Sequence, residues 1–190
     1  YARAAENWLD RKGHYEEYIN AVIKAFRQNI KAVRFQEFSK VAKKVVAFHK
    51  NRVYRYTRDI VEDLQKKDYY LLAISHSPQK VVKEFCKKMG FDKIYGQLYE
   101  TDKQKRFTGR ILHSELILDK AAILRRAVEK EKLTLKESIG VGDTESDKLS
   151  ARRAGIRFVF CGTEIPNVNQ CDRKTVTSSQ IVGSISCYSQ

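Results

Sequence analysis

Residues 139–147, which read Ile-Gly-Val-Gly-Asp-Thr-Glu-Ser-Asp, carry more information about the fold than any other stretch of this chain. A short apolar run ends at Gly142, and two carboxylates, Asp143 and Asp147, follow it four residues apart. A buried strand ending at Gly142 would place Asp143 at the rim of a sheet, where a carboxylate suits Mg²⁺ bound together with a phosphate. An ordinary strand, turn and acidic helix start has the same pattern, so both interpretations stay open on this stretch alone.

A second polar group follows another apolar run. Residues 69–77 read Tyr-Tyr-Leu-Leu-Ala-Ile-Ser-His-Ser, which predicts a buried strand that ends at Ser75. Ser77 and Pro78 are typical of a helix N-cap and of the first helical position, so a helix should follow at once. A hydroxyl and backbone N–H groups at such a turn can hold a phosphate oxygen. A capped turn that binds nothing has the same signature.

The third candidate is Lys120, which begins a predicted amphipathic helix with Ala121, Leu124 and Val128 on its inner face. A lysine in this position usually extends into solvent. Next to a phosphate and two carboxylates, however, its ammonium group would offset the charge of a transferring phosphoryl group.

Taken in order, these three motifs resemble the second, third and fourth motifs of the haloacid dehalogenase (HAD) superfamily. The similarity is greatest to its phosphoserine-phosphatase-like subfamily, IB. Further segments that resemble this subfamily lie at residues 52–64, 91–96 and 107–110. The resemblance implies an α/β fold, with a Rossmann-like parallel sheet as the HAD core and an N-terminal helical cap.

The resemblance also implies an enzyme, a Mg²⁺-dependent phosphomonoester hydrolase that works through an aspartyl-phosphate intermediate. Ser75 and Lys120 match catalytic residues that bind the phosphate, and Asp143 matches the metal ligand. Asp147 matches the catalytic carboxylate that supports the lysine. His76 is a further candidate phosphate contact. It stands where phosphoserine phosphatases usually have glycine, which puts phosphoserine in doubt; the expected substrate is a phosphorylated small molecule.

The first motif of the family, Asp-x-Asp-x-Thr, occurs nowhere in these 190 residues. That motif supplies the nucleophile and the acid/base, so we expect a chain that begins inside the cap and is inactive as given, either a fragment or a gene product that lacks its first strand. In the family the first strand lies between the strands that end at Ser75 and Asp143. Its absence predicts that these strands close up, that another segment such as residues 180–186 fills the slot, or that the core is poorly stable.

Apolar spacing divides the chain into three predicted regions. Residues 1–51 are predicted to be a helical cap, because their apolar residues follow the 3.6-residue helical period. Residues 52–163 are the predicted α/β core, with a β-hairpin over residues 94–111. Residues 164–190 are a polar tail for which we expect irregular structure. In the second half of the cap the periodic residues are Phe38, Val41, Val45 and Phe48.

Composition limits the functional classes. The net charge of +14 is spread along the whole chain without an Arg/aromatic block, which favours a solvated surface that attracts anionic substrates over nucleic-acid binding. No apolar run is long enough to cross a bilayer, so we expect no membrane partner. The cysteines form no Cys-x-x-Cys pair, which argues against zinc and for a reducing, cytoplasmic location. They are Cys86, Cys161, Cys171 and Cys187.

Two alternative functions stay open. One is a non-catalytic HAD relative that binds phosphate or a partner, and the other is a basic nucleic-acid-binding module. The sequence leaves the oligomeric state and the identity of the substrate undetermined.

Overall fold

The computed structural model describes residues 1–53 and 55–161, and the backbone of residues 181–183. The chain divides into two compact units. The smaller unit comprises Tyr1–Lys40 and Tyr99–Leu112, and the larger comprises Val41–Leu98 and His113–Gln190. The helices of the predicted cap therefore contribute to both units.

The smaller unit is built on helices and an aromatic cluster. Its core contains the rings of Phe26, Phe38, Tyr99 and Phe107, whose neighbouring centroids lie 5.4 to 6.3 Å apart in tilted or edge-on contacts. Edge-on contacts are favourable because the ring edge is positive and the face negative. The elements are α1 (Ala2–Leu9), α2 (Tyr15–Asn29), the first residues of α3 (Phe35–His49), the last residues of β2 (Lys93–Thr101) and β3 (Phe107–Leu112). The strands β2 and β3 confirm the hairpin predicted over residues 94–111.

The larger unit alternates strands with helices. Its strands β2, β1 (Leu71–Pro78) and β6 (Ile181–Gly183) lie side by side in parallel, and β4 (Ile139–Gly142) pairs in parallel with β5 (Arg157–Phe160). This arrangement confirms the predicted α/β fold with a parallel sheet. The elements after α3 are α4 (Arg55–Gln65), β1 (Leu71–Pro78), α5 (Gln79–Lys88), the start of β2, α6 (Ser114–Leu118), α7 (Lys120–Glu131), β4 (Ile139–Gly142), α8 (Glu145–Arg153), β5 (Arg157–Phe160) and β6 (Ile181–Gly183).

Strand β1 is the centre of the core because helices cover both of its faces. Leu71 and Ala73 pack with residues of α4 and α5, whereas Leu72 and Ile74 pack with residues of α7. A strand buried on both faces needs an unbroken apolar run, which is what residues 71–74 provide. The polar side chain of Ser75 follows directly, so the apolar run ends where the chain reaches the edge of the core.

Strand β6 pairs with β1 on the side away from β2. Ile181, Val182 and Gly183 are in register with Leu71, Leu72 and Ala73, and β6 also contacts β4. Of the three outcomes predicted for the missing first strand, the structure therefore shows the one in which residues from 180–186 occupy the slot. The rest of the predicted tail, with Cys171 and Cys187, lies outside the described residues.

Helix α3 is present as predicted, but its apolar stripe of Val41, Val45 and Phe48 is not the buried one. Those three side chains are exposed, and Ala42 and Val46 face the core instead. Both sets have helical spacing, so periodicity alone cannot tell which of them is buried. The smaller Ala42 side chain allows the closer approach to the core.

Candidate active site

Ser75 lies near the carboxyl end of β1 and is almost fully buried. Its Oγ accepts a hydrogen bond of 3.2 Å from the backbone N–H of Ser77. Because β1 continues to Pro78, which pairs with Gln97 of β2, the helix starts one residue later than predicted. Pro78 is the N-cap of α5, and the prediction of Ser77 as N-cap was wrong by one position.

A buried ion pair joins the start of α7 to the first turn of α8. The Lys120 ammonium donates to Oδ1 of Asp147, and the two side chains are 8% and 0% exposed. Thr144 donates from Oγ1 to Oδ2 of the same carboxylate at 2.7 Å, and it accepts a bond from the Asp147 backbone N–H as the N-cap of α8. Removing two charges from water costs several kcal/mol for each ion, so a buried ion pair is by itself weak evidence that the fold is stabilised.

His76 connects the end of β1 to this pair. Its ring donates to the backbone carbonyl of Ile117 in α6. Desolvation and then the Lys120 charge lower the pKa of His76, and they outweigh the opposite effects of the Ile117 bond and of Asp147. The imidazole is therefore predominantly neutral at pH 7. These electrostatic effects also show that the turn after Ser75 and the Lys120–Asp147 pair share one neighbourhood.

Asp143 follows β4 directly, and one of its carboxylate oxygens is shielded from solvent. The thiol of Cys161 lies close enough that burial, then Asp143 and also Asp147, raise its pKa, while the neighbouring Thr57 hydroxyl opposes the shift. The Cys161 backbone N–H donates to the Gly142 carbonyl at 2.7 Å. Sequence reasoning missed Cys161 as a site residue. Its position just after the strand beside β4 was the available signal.

A small cavity of about 30 Å³ lies between the strands and helices α7 and α8. Ile74 and Val141 line it from β1 and β4, and Lys120 and Asp147 line it from α7 and α8. A cavity of this size has room for at least one water molecule. Gly142 approaches the ion pair closely, because a Cβ at this position would lie 2.5 Å from the Cβ of Asp147.

The structure thus brings all five sequence-predicted site residues to one edge of the larger unit. Ser75 and His76 come from the end of β1, Lys120 from α7, and Asp143 and Asp147 from the segment after β4. Carboxyl ends of parallel strands are where α/β proteins bind ligands. The arrangement combines a hydroxyl, a positioned ammonium and a carboxylate, which together can bind an anion with a divalent cation.

The family model for haloacid dehalogenase-like hydrolases matches residues 2–152. The chain belongs to this family. A second family model, for HAD-hydrolase-like proteins, matches residues 120–186, which include Lys120 and both aspartates. Comparison with curated proteins gave no match.

Solved structures of HAD proteins share the fold. A substrate-bound phosphoserine phosphatase has a TM-score of 0.54 at 17% identity, covering 85% of this chain and 72% of that chain. A phospho-aspartyl intermediate analogue of phosphoserine phosphatase has a TM-score of 0.50 at 19% identity, covering 77% and 74%. A HAD family hydrolase from Salmonella enterica subsp. enterica serovar Typhi has a TM-score of 0.52 at 15% identity, covering 81% and 50%. The phosphoserine-phosphatase-like resemblance is confirmed at the level of the fold.

HAD phosphatases generally use Mg²⁺, so the side chains of this site can be compared with the ligands that Mg²⁺ prefers. Within the part of the chain that the structure describes, no three His, Cys, Asp or Glu side chains are grouped as a metal cage. Mg²⁺ does not require one, because it commonly keeps several waters and binds one or two carboxylates together with phosphate oxygens. Asp143, which follows β4 directly, is the carboxylate that could take this role. The oxygens of Asp147 accept bonds from Lys120 and Thr144, which suits an outer-shell position.

Proposed function

We propose that this chain forms the phosphate-binding and charge-neutralising part of a Mg²⁺-dependent phosphomonoester hydrolase. In such enzymes of the family, the reaction passes through an aspartyl-phosphate. The observation that carries the proposal is the buried Lys120–Asp147 pair, which lies beside the Ser75–His76 turn and the strand that leads to Asp143. Since the sequence contains no Asp-x-Asp, we further propose that the chain as given has little or no hydrolytic turnover.

Each residue has a distinct proposed task. The Ser75 hydroxyl and the turn after it bind one phosphate oxygen. Lys120 offsets the negative charge that the phosphoryl group carries in the transition state, and Asp147 holds the ammonium in place before substrate arrives. Such preorganisation matters because a flexible lysine would have to lose its freedom during the reaction. Asp143 would hold Mg²⁺, which when bound neutralises charge on the phosphate.

The proposed substrate is a phosphorylated small molecule. His76 stands where phosphoserine phosphatases usually have glycine, and its ring bonded to Ile117 takes up space beside the phosphate-binding turn. An amino-acid carboxylate would meet this ring, so phosphoserine is disfavoured. The described cysteines, Cys86 and Cys161, are free thiols, which is compatible with the proposed reducing, cytoplasmic location.

Binding of inorganic phosphate, measured by isothermal titration calorimetry with and without Mg²⁺, tests the first half of the proposal. Ser75→Ala removes a hydrogen bond to a charged group and should weaken binding about 10- to 100-fold. Asp143→Asn should abolish the dependence of binding on Mg²⁺. Asp68→Asn is the matched control, because Asp68 is exposed and has a positive φ that asparagine tolerates. Absence of phosphate binding to the unmodified chain would refute the proposal.

Hydrolysis is tested separately by adding an Asp-x-Asp-x-Thr strand in front of the chain and assaying p-nitrophenyl phosphate with Mg²⁺. Turnover that is lost when the first added aspartate becomes asparagine supports the hydrolase. Phosphate binding without turnover would instead favour the non-catalytic alternative, for which the missing Asp-x-Asp is the supporting observation.

A further inference from the structure

The exposed side of α3 carries a hydrophobic surface that the fold leaves uncovered. Val41, Val45 and Phe48, here called the apolar stripe, lie on one side of the helix and are 56%, 46% and 66% exposed. Tyr56 at the start of α4 is also exposed, at 46%. Single exposed apolar residues need no explanation, but three on successive turns of one helix form a continuous surface.

The same part of the chain is strongly basic. Between Val41 and Arg58 the sequence has six lysines and arginines and no acidic residue. All six are exposed, and together we call them the basic segment. They are Lys43, Lys44, Lys50, Arg52, Arg55 and Arg58.

Positive charge directly borders the apolar stripe. The guanidinium of Arg52 lies 4.8 Å from the centroid of the Phe48 ring. The carboxylate of Glu84 on α5 is close enough for Lys43 to lower its pKa, but Lys80 lowers it more through a hydrogen bond of 2.5 Å. That acidic group is therefore already paired within its own helix and does not cancel the charge of the basic segment.

We infer that this face of the larger unit binds the surface of a membrane rich in anionic phospholipids. An amphipathic helix with apolar side chains on one side and basic side chains beside them lies in the plane of a membrane interface, where its charges meet anionic headgroups. By the 3.6-residue period of α3, Lys44 lies beside the apolar stripe, whereas Lys43 lies on the far side of the helix. Exposed valines favour this partner over nucleic acid. Burial of an aliphatic side chain at the acyl boundary of a membrane is favourable, whereas contact with a phosphate backbone gives such a side chain no favourable interaction. The inference is independent of the proposed function.

Surface binding does not require a spanning segment. None of the helices in the described residues is long and apolar enough to cross a bilayer. The expectation of no membrane partner depended on the lack of such a segment, so it does not apply to a helix that lies on the surface. The inference revises that expectation for this face of α3 alone.

Vesicle co-sedimentation of the full chain tests the inference. We expect binding to vesicles of phosphatidylcholine mixed equally with phosphatidylserine, and no binding to phosphatidylcholine alone. The double variant Lys44→Gln and Arg52→Gln removes the basic residues beside the apolar stripe and should weaken binding by about five-fold per charge, hence about 25-fold. The matched control with the same loss of charge is Lys66→Gln and Lys67→Gln, two exposed lysines elsewhere.

The apolar contribution is tested with Phe48→Ser, which should weaken vesicle binding about ten-fold, since burial of a phenylalanine side chain is worth that much or more. Leu9→Ser on α1, where the side chain is 72% exposed, is the control and should have no effect. Far-UV circular dichroism confirms folding of each variant. Failure of the unmodified chain to bind the mixed vesicles overturns the inference, as do equal losses in the test and control variants. Binding to single-stranded RNA that Phe48→Ser leaves unchanged, without vesicle binding, would identify nucleic acid as the partner instead.

Discussion

Lys120→Met should destabilise the fold far more than a typical lysine substitution, because it leaves a buried carboxylate without its cation. The Asp147 side chain is 0% exposed, and Lys120 is 8% exposed. Breaking a buried pair by removing one partner usually costs about 3–5 kcal/mol in the free energy of unfolding. Asp147→Asn should cost a similar amount, since it leaves the ammonium group buried instead.

The double variant Lys120→Met/Asp147→Asn distinguishes this explanation from a simple loss of packing. With both charges gone, no uncompensated ion is left in the core, and the remaining cost is that of a buried amide with unmet hydrogen bonds, about 1–3 kcal/mol. We therefore expect the double variant to be more stable than either single variant, with a coupling energy of about 3 kcal/mol or more. Urea unfolding at pH 7, followed by far-UV circular dichroism, gives all three free energies.

An exposed ion pair on α8, the helix that carries Asp147, provides the control. Lys148 and Glu145 of α8 lie 3.3 Å apart, with side chains 59% and 80% exposed. Lys148→Met should change the free energy of unfolding by less than about 0.5 kcal/mol, because solvent screens such pairs. If Lys120→Met costs as little as Lys148→Met, or if the losses at Lys120 and Asp147 simply add, the reasoning about a buried ion pair is refuted.

Three further predictions concern other places in the larger unit. Gly142→Ala should lower the free energy of unfolding by about 1–3 kcal/mol in urea, because the added Cβ would lie 2.5 Å from the Cβ of Asp147 and must displace it. Cys86 is buried, which raises its pKa to about 12, so iodoacetamide at pH 8 should label this thiol only in denaturant; a peptide map showing labelled Cys86 in the native protein would contradict its burial. Val182→Pro places a residue with a fixed φ and no N–H in the strand that pairs with residues 71–73, and deuterium uptake there should therefore become faster; unchanged uptake would argue against the pairing of β6 with β1.

The sequence was sufficient to predict those elements whose burial is total. Residues 71–74 are apolar without interruption because both faces of β1 are covered. Strand β4 ends at Gly142 as predicted, whereas β1 runs to Pro78, three residues beyond the end predicted at Ser75. Ser75 and Asp143 could still be placed near the ends of their strands, because each follows directly on an apolar run. The neighbourhood of Lys120 and Asp147 was reached only through the family resemblance, because 27 residues separate them and no local pattern connects them.

Partial burial was harder to predict. In α3 the residues Ala42 and Val46 and the residues Val41 and Val45 have the same spacing, and the sequence contains nothing that decides which pair faces the core. Cys161 was missed for a related reason. Its place beside Asp143 follows from the pairing of β5 with β4, and strand order is a property of the whole sheet.

Strand β6 matters for the site because it determines how far apart the two halves of the site lie. Neighbouring strands are about 4.8 Å apart, so β1 and β4 in direct contact would leave about that distance between the backbones that carry Ser75 and Asp143. With β6 next to β1 and in contact with β4, the separation is about two strand spacings, roughly 10 Å. Under the proposed function, a phosphate and a hydrated cation would bind between these strand ends, and the larger distance leaves more room for them than direct contact would. Three residues from near the end of the chain, remote in sequence from every motif, therefore influence how far apart the strands that carry Ser75 and Asp143 lie.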